Sequence, residues 1–134
     1  MKRTLFTVAL ISFVLVLGFS VLACGGGGGG GSPSAVIKQY HAAMSKGNLK
    51  GAMAFMEPEM AAMMEGLWAE IDSDQYKEAV EEAKKEAAKT GGIVKTEEEI
   101  DEDKATVIIT YKDGSTETMK MVKLDGKWKI TMGK

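Results

Sequence analysis

Ala105-Thr106-Val107-Ile108-Ile109-Thr110-Tyr111-Lys112-Asp113-Gly114 is the stretch that decides the fold. Ala105, Val107, Ile109 and Tyr111 alternate with Thr106, Ile108, Thr110 and Lys112, and a period of two sends the first set to one face of a strand. Asp113-Gly114 then marks a hairpin, because the tight turn that suits a twisted strand pair needs positive φ at its centre. The return strand covers residues 116–124, and Asp125-Gly126 turns the chain again into residues 127–132, where Trp128, Ile130 and Met132 share a face. Upstream, residues 93–100 read as an earlier and rather acidic strand. Four consecutive strands joined by short turns predict an antiparallel meander. Met119-Lys120-Met121-Val122-Lys123-Leu124 breaks strict alternation, which predicts a bulge there and a curved sheet.

The chain before the meander has a helical period. Ser32-Pro33 supplies a capping hydroxyl and a proline at the first helical position. Val36, Ile37, Tyr40, Ala43 and Met44 recur at helical spacing until Gly47 stops them. Asn48 caps a short second helix with Leu49, Ala52, Met53 and Met56 on its apolar side. Glu57-Pro58 opens a third, whose buried side is predicted to carry Met60, Met63, Met64, Leu67, Trp68 and Ile71. A weak spot follows at residues 72–75, where Asp72 and Gln75 have capping-box spacing. Beyond it Tyr76, Val80, Ala83 and Ala87 form a narrow apolar stripe that ends at Gly91-Gly92. Three helical segments ahead of a meander make an α+β domain.

The first 23 residues read as an address rather than as part of this domain. Lys2 and Arg3 precede an apolar run from residue 5 to residue 18, and Val21-Leu22-Ala23-Cys24 follows, the order of a secretory signal. Val21-Leu22-Ala23-Cys24 resembles a lipobox, in which the thiol takes a diacylglyceryl group and becomes the mature N-terminus. Cys24 is the chain's one cysteine, so no intramolecular disulfide competes for it. The alternatives are an uncleaved membrane anchor, since the run approaches the roughly 17–25 residues a spanning helix needs, and an ordinary signal peptide with an incidental cysteine. Residues 25–31 are all glycine and Ser32 follows; such a segment behaves as a flexible tether, and eight residues span ~15 Å on average. The expected location is the exported face of a cell membrane. Gly25, rather than Asp, behind the cysteine resembles outer-membrane sorting, to the periplasmic leaflet, where the source has two membranes. The chain carries 17 Lys and Arg against 19 Asp and Glu, and loss of Lys2 and Arg3 with the leader leaves a formal charge of −4. This balance argues against a nucleic-acid partner and against electrostatic docking on anionic lipid.

The segment Ala35-Val36-Ile37-Lys38-Gln39-Tyr40-His41-Ala42-Ala43-Met44, then Lys46-Gly47-Asn48 and Ala52, resembles the opening helices of the nuclear-transport-factor-2-like superfamily. Ala105-Thr106-Val107, Tyr111 with Asp113-Gly114, and Val122-Lys123-Leu124-Asp125-Gly126-Lys127-Trp128-Lys129-Ile130 fit the same group. The pattern is most similar to small bacterial lipoproteins of unknown function once labelled lumazine-binding-like. The resemblance implies a cystatin-like cone over residues 33–134, with a curved sheet wrapped on helices and often a cavity at the wide end. It also implies frequent homodimers through the sheet. It brings no catalytic residues and no cofactor, and the fold alone does not supply a function.

His41 is the one histidine and neighbours Tyr40. Inside a cone it would serve as acid or base, but no Asp or Glu stands amid the apolar strand faces as an obvious partner, so a boundary position is expected. Tyr40, His41, Met44, Met64, Trp68, Tyr111 and Trp128 are the pocket candidates, with the aromatics offering flat apolar surface and polar edges. Met60, Met63 and Met64 have a spacing that would suit Cu(I), although the same spacing serves an amphipathic helix or a plastic apolar pocket. The expected function is a non-catalytic envelope module that binds a small apolar ligand or a protein. The alternatives are an enzyme using His41 and Tyr40, and a copper-handling protein.

Overall fold

A computed structural model of the chain describes residues 31–133, so the leader, Cys24 and most of the glycine run lie outside the described residues. The order is α1 (Pro33–Ser45), α2 (Leu49–Met53), α3 (Pro58–Ala69), α4 (Ser73–Thr90), β1 (Ile93–Asp101), β2 (Lys104–Tyr111), β3 (Thr116–Leu124) and β4 (Lys127–Thr131). The strands form one antiparallel sheet in the order β1-β2-β3-β4. The architecture is therefore α+β with a meander, as the alternation of residues 105–111 predicts.

The core sits between α1 and the inner face of the sheet. Val36 and Ile37 of α1 meet Ala105, Val107, Ile109 and Tyr111 of β2, Met121 of β3, and Trp128 and Ile130 of β4. Ser32 starts α1 by accepting from the Ala35 N–H, with Pro33 behind it, as expected. Leu49 and Ala52 of α2 are buried as well, and Met56 extends the sheet's edge through a parallel bridge to Ile130. That bridge is closed by Ile130 N–H donating to Phe55 O at 2.7 Å and Glu57 N–H donating to Ile130 O at 2.9 Å. The outer edge of β4 is thus partly covered.

Four expectations from the sequence need correction. The weak spot at Asp72 is a true break: its carboxylate accepts from Asp74 and Gln75 N–H while the Gln75 side chain accepts from Asp72 N–H. A complete capping box starts a fourth helix rather than interrupting a third. The bulge lies not in β3 but in β1, between Ile93 and Lys95. β3 pairs without a slip, and its broken alternation arises because both its faces carry apolar residues: Met119 and Met121 inward, Val122 and Leu124 outward. Third, α3 buries none of its residues, and Met63 and Leu67 are 50% and 54% exposed. Its apolar stripe is real, but α1 already fills the inner face of the sheet, so no core remains for it. Finally, Met132 is exposed although Trp128 and Ile130 on the same face are buried, because β4 ends at Thr131.

Candidate functional site

Polar chemistry gathers at the end of the inner face where α1 passes over Tyr111. His41 lies one helical turn beyond Ile37, so the packing that buries Ile37 brings the imidazole onto the same side of α1. The β2–β3 register pairs Ile109 with Glu117, and directly paired residues share a face, so Glu117 points inward beside Tyr111. The Tyr111 hydroxyl donates to Glu117 Oε2 at 2.6 Å and lies 3.0 Å from His41 Nε2. A phenol has one proton, and here the carboxylate receives it. The imidazole must then donate from Nε2, which leaves Nδ1 with the lone pair of the neutral ring. Tyr40 packs edge-on against His41, and His41 edge-on against Tyr111, both with ring centroids 5.5 Å apart.

The electrostatics follow from this packing. Burial lowers the His41 pKa below its ordinary value, and the Glu117 charge opposes that only in part. The neutral imidazole is therefore favoured near pH 7. Burial, together with the hydrogen bond to Glu117, pushes the Tyr111 hydroxyl well above the usual phenol range. Burial also raises Tyr40, with Glu117 adding to it. His41 borders a pocket of about 250 Å³ shared with Lys38, Ser45, Thr90, Ile93 and Tyr111. The serine there is committed elsewhere, since Ser45 Oγ donates to Ala42 O at 3.0 Å. The arrangement can hold or move a proton at His41, and it shows no activated hydroxyl beside the ring.

A larger concavity opens on the outer face, where β2, β3 and β4 meet the first turn of α3. It measures about 650 Å³ and is lined by Glu57, Pro58, Glu59, Lys104, Thr106, Lys120, Val122, Leu124, Thr131 and Gly133, together with Ala105 and Met121, whose side chains belong to the inner core. This volume falls within the ~300–1,000 Å³ of typical small-molecule sites. Covered β4 edge and outward Val122 and Leu124 together make it: Glu57 is pinned to Ile130 O, and α3 then leaves the sheet.

The structure brings together three of the seven pocket candidates, Tyr40, His41 and Tyr111. Trp128 is buried in the core under Lys123, whose ammonium lies 5.6 Å from the indole centroid. Trp68 packs edge-on against Tyr76 at 5.9 Å, joining α3 to α4. Met44 and Met64 are half-buried on separate helices, and Met60 and Met63 lie along α3 away from the core. The expectation that no carboxylate accompanies His41 is overturned by Glu117. The observed hairpin register, with Ile109 opposite Glu117, brings the carboxylate to the face of Tyr111; a two-residue Asp113-Gly114 turn would pair Tyr111 with Thr116 and send Glu117 to the other face.

No curated protein matches the chain. A solved structure from Campylobacter jejuni, carrying the label of an NTF2-like transpeptidase, is similar at a TM-score of 0.50 with 21% identity, covering 77% of this chain and 100% of its own. At that identity the likeness shows the fold, which is nuclear-transport-factor-2-like (NTF2-like). Residues 23–131 match the family described as Domain of unknown function (DUF4878), and the chain belongs to that family.

Proposed function

We propose that this protein is a cell-envelope lipoprotein, tethered through Cys24, whose domain binds a small apolar ligand without transforming it. The outer groove of about 650 Å³ carries the reading, because it offers a ligand-sized and largely apolar concavity beside an exposed helix. Folded domains rarely leave such surface open without a use. The anchor rests on the lipobox-like Val21-Leu22-Ala23-Cys24 and on the glycine tether behind it.

Two measurements test the reading. Radiolabelled palmitate fed to producing cells is expected to enter the wild-type chain and not Cys24→Ala; equal labelling of both, or of neither, refutes the anchor. Thr106 lies on the outer face and only partly exposed, so Thr106→Trp fills the groove without touching the core. Wild-type protein is expected to take up an uncharged solvatochromic dye saturably, and Thr106→Trp is expected to lose that uptake. Unsaturable or unchanged uptake refutes the groove.

A second reading is favoured by the His41–Tyr111–Glu117 chain: an acid–base enzyme working at the smaller pocket with His41 as the base and Tyr40 packed edge-on behind the imidazole. The label of the Campylobacter jejuni neighbour would point to acyl transfer. That chemistry needs a nucleophile bonded to its base, and Ser45 bonds to a backbone carbonyl instead. Turnover of any ester or amide that disappears in His41→Ala and survives in Thr106→Trp would establish this second reading.

A further inference from the structure

The outer groove has charged walls of opposite sign, and these define its occupant more closely than its apolar lining does. Lys104 and Lys120 come from the sheet. Lys120 is paired with Thr106 and Lys104 with Val122, so the two lysines are diagonal neighbours on one face, with backbones roughly 7–8 Å apart. The Lys120 stem and ammonium lie against Gly133, at the rim. Neither lysine makes an ion pair among the described residues, although Asp101, the β1 partner of Lys104, stands on the same face just outside the groove lining. Facing them, Glu57 and Glu59 stand at the start of α3. Pro58 separates the two glutamates, and along β3 Val122 and Leu124 continue the lining as an apolar strip. Along β3 that strip runs the four residue steps from Lys120 to Leu124, or ~13 Å.

We infer that this groove takes a single-chain zwitterionic amphiphile of the lysophosphatidylethanolamine type, with its phosphate between Lys104 and Lys120 and its ammonium toward Glu57 and Glu59. The inference rests on the apolar-ligand reading above and deepens it. Phosphate oxygens accept charge-assisted bonds from lysines, and the two carboxylates do the same for a primary ammonium. A purely anionic head would satisfy the lysines and face the glutamates unpaired; a purely cationic one would do the reverse. The acyl chain lies on Val122 and Leu124. The proposed anchor makes the membrane the source of such a ligand: a lipidated Cys24 on a short glycine leash would hold the groove near lysophospholipid.

The test uses the full chain in phosphatidylcholine vesicles with two photoactivatable probes that carry the same diazirine acyl chain. One is a lysophosphatidylethanolamine and the other an uncharged monoacylglycerol. The lysophospholipid is expected to label peptides containing Pro58 and residues 120–124, and the double variant Lys104→Glu/Lys120→Glu is expected to reduce that labelling by about tenfold or more. Monoacylglycerol labelling should be weaker and unmoved by the variant. If both probes label the groove equally and the variant changes neither, the headgroup assignment falls while the apolar-ligand reading stands. If neither probe labels it, or if crosslinks join two copies of the chain there instead, both fall. Preference for a lysophosphatidylglycerol probe over the zwitterion also overturns the assignment, because the facing glutamates would then have no role.

Discussion

Tyr111→Phe isolates the hydrogen-bonded chain at the end of the inner face. The phenyl ring keeps the packing against His41 and the rest of the core, so the loss is confined to one hydroxyl. That hydroxyl donates to Glu117 at 2.6 Å and accepts from His41 at 3.0 Å. A bond to a charged group contributes about 1.5–3 kcal/mol and a neutral one about 0.5–1.5. Glu117 is otherwise exposed and recovers water when its partner goes, which returns part of the first amount. The half-buried imidazole recovers less. A net loss of about 1–2 kcal/mol follows, or about 5–10 °C in Tm for a domain of this size. Thermal denaturation of wild type, Tyr111→Phe, Glu117→Gln and the double variant, followed by circular dichroism at pH 7, reads both the loss and the coupling. The two single losses should fail to add by at least ~0.5 kcal/mol, as contacting residues do. A Tyr111→Phe midpoint within 1 °C of wild type, or strict additivity, would refute the bonded chain.

Other outcomes follow from the same structure. His41 should titrate in NMR below its ordinary value of about 6.5, because burial favours the neutral ring. Its folded pKa is depressed, so its contribution to stability is complete above the unfolded pKa and is lost as pH falls through the folded one; His41→Gln should therefore lose less stability than wild type between pH 7.5 and 5, and an equal loss counts against a buried imidazole. Asp72→Ala removes the capping box of α4 and should cost ~1 kcal/mol, with faster amide exchange in the first turn of α4 and nowhere else. Ile109→Ala, fully buried, should cost about 2–5 kcal/mol. Leu67→Ala on the exposed α3 should stay within about 0.5 kcal/mol in urea denaturation, and a large loss there would mean that α3 has a packing partner. Gly47→Ala forces a side chain onto φ +72° and into Val80 and Lys84 of α4; it should cost at least ~1–2 kcal/mol.

The sheet was legible in the sequence because its signals are local. Alternation over residues 105–111 and the two Asp-Gly turns each depend on neighbours a few positions apart, and the meander needs nothing more. The helices were legible as periodic segments but not in their burial. Met60, Met63, Leu67 and Trp68 have a core-like spacing, yet burial depends on whether another element has already taken the sheet, and α1 has. The run Met119 to Leu124 looks irregular for a related reason: β3 carries apolar residues on both faces, and strict alternation is expected only where one face is wet. At the site, His41, Tyr40 and Tyr111 could be named from residue type. Glu117 could not, since it stands among Thr116 and Thr118 in a polar stretch, and only the register across the hairpin turns it toward Tyr111. The outer groove depends on Glu57 bonding to Ile130 across the fold, a contact between residues more than seventy positions apart, and no local pattern announces it.

Native mass spectrometry of the full chain released from membranes tests the central claim most directly, by asking which concavity holds a ligand. The account predicts an apolar adduct on wild type and on His41→Ala, and none on Thr106→Trp. An adduct that survives Thr106→Trp and disappears with His41→Ala, or no adduct on any form, would contradict it.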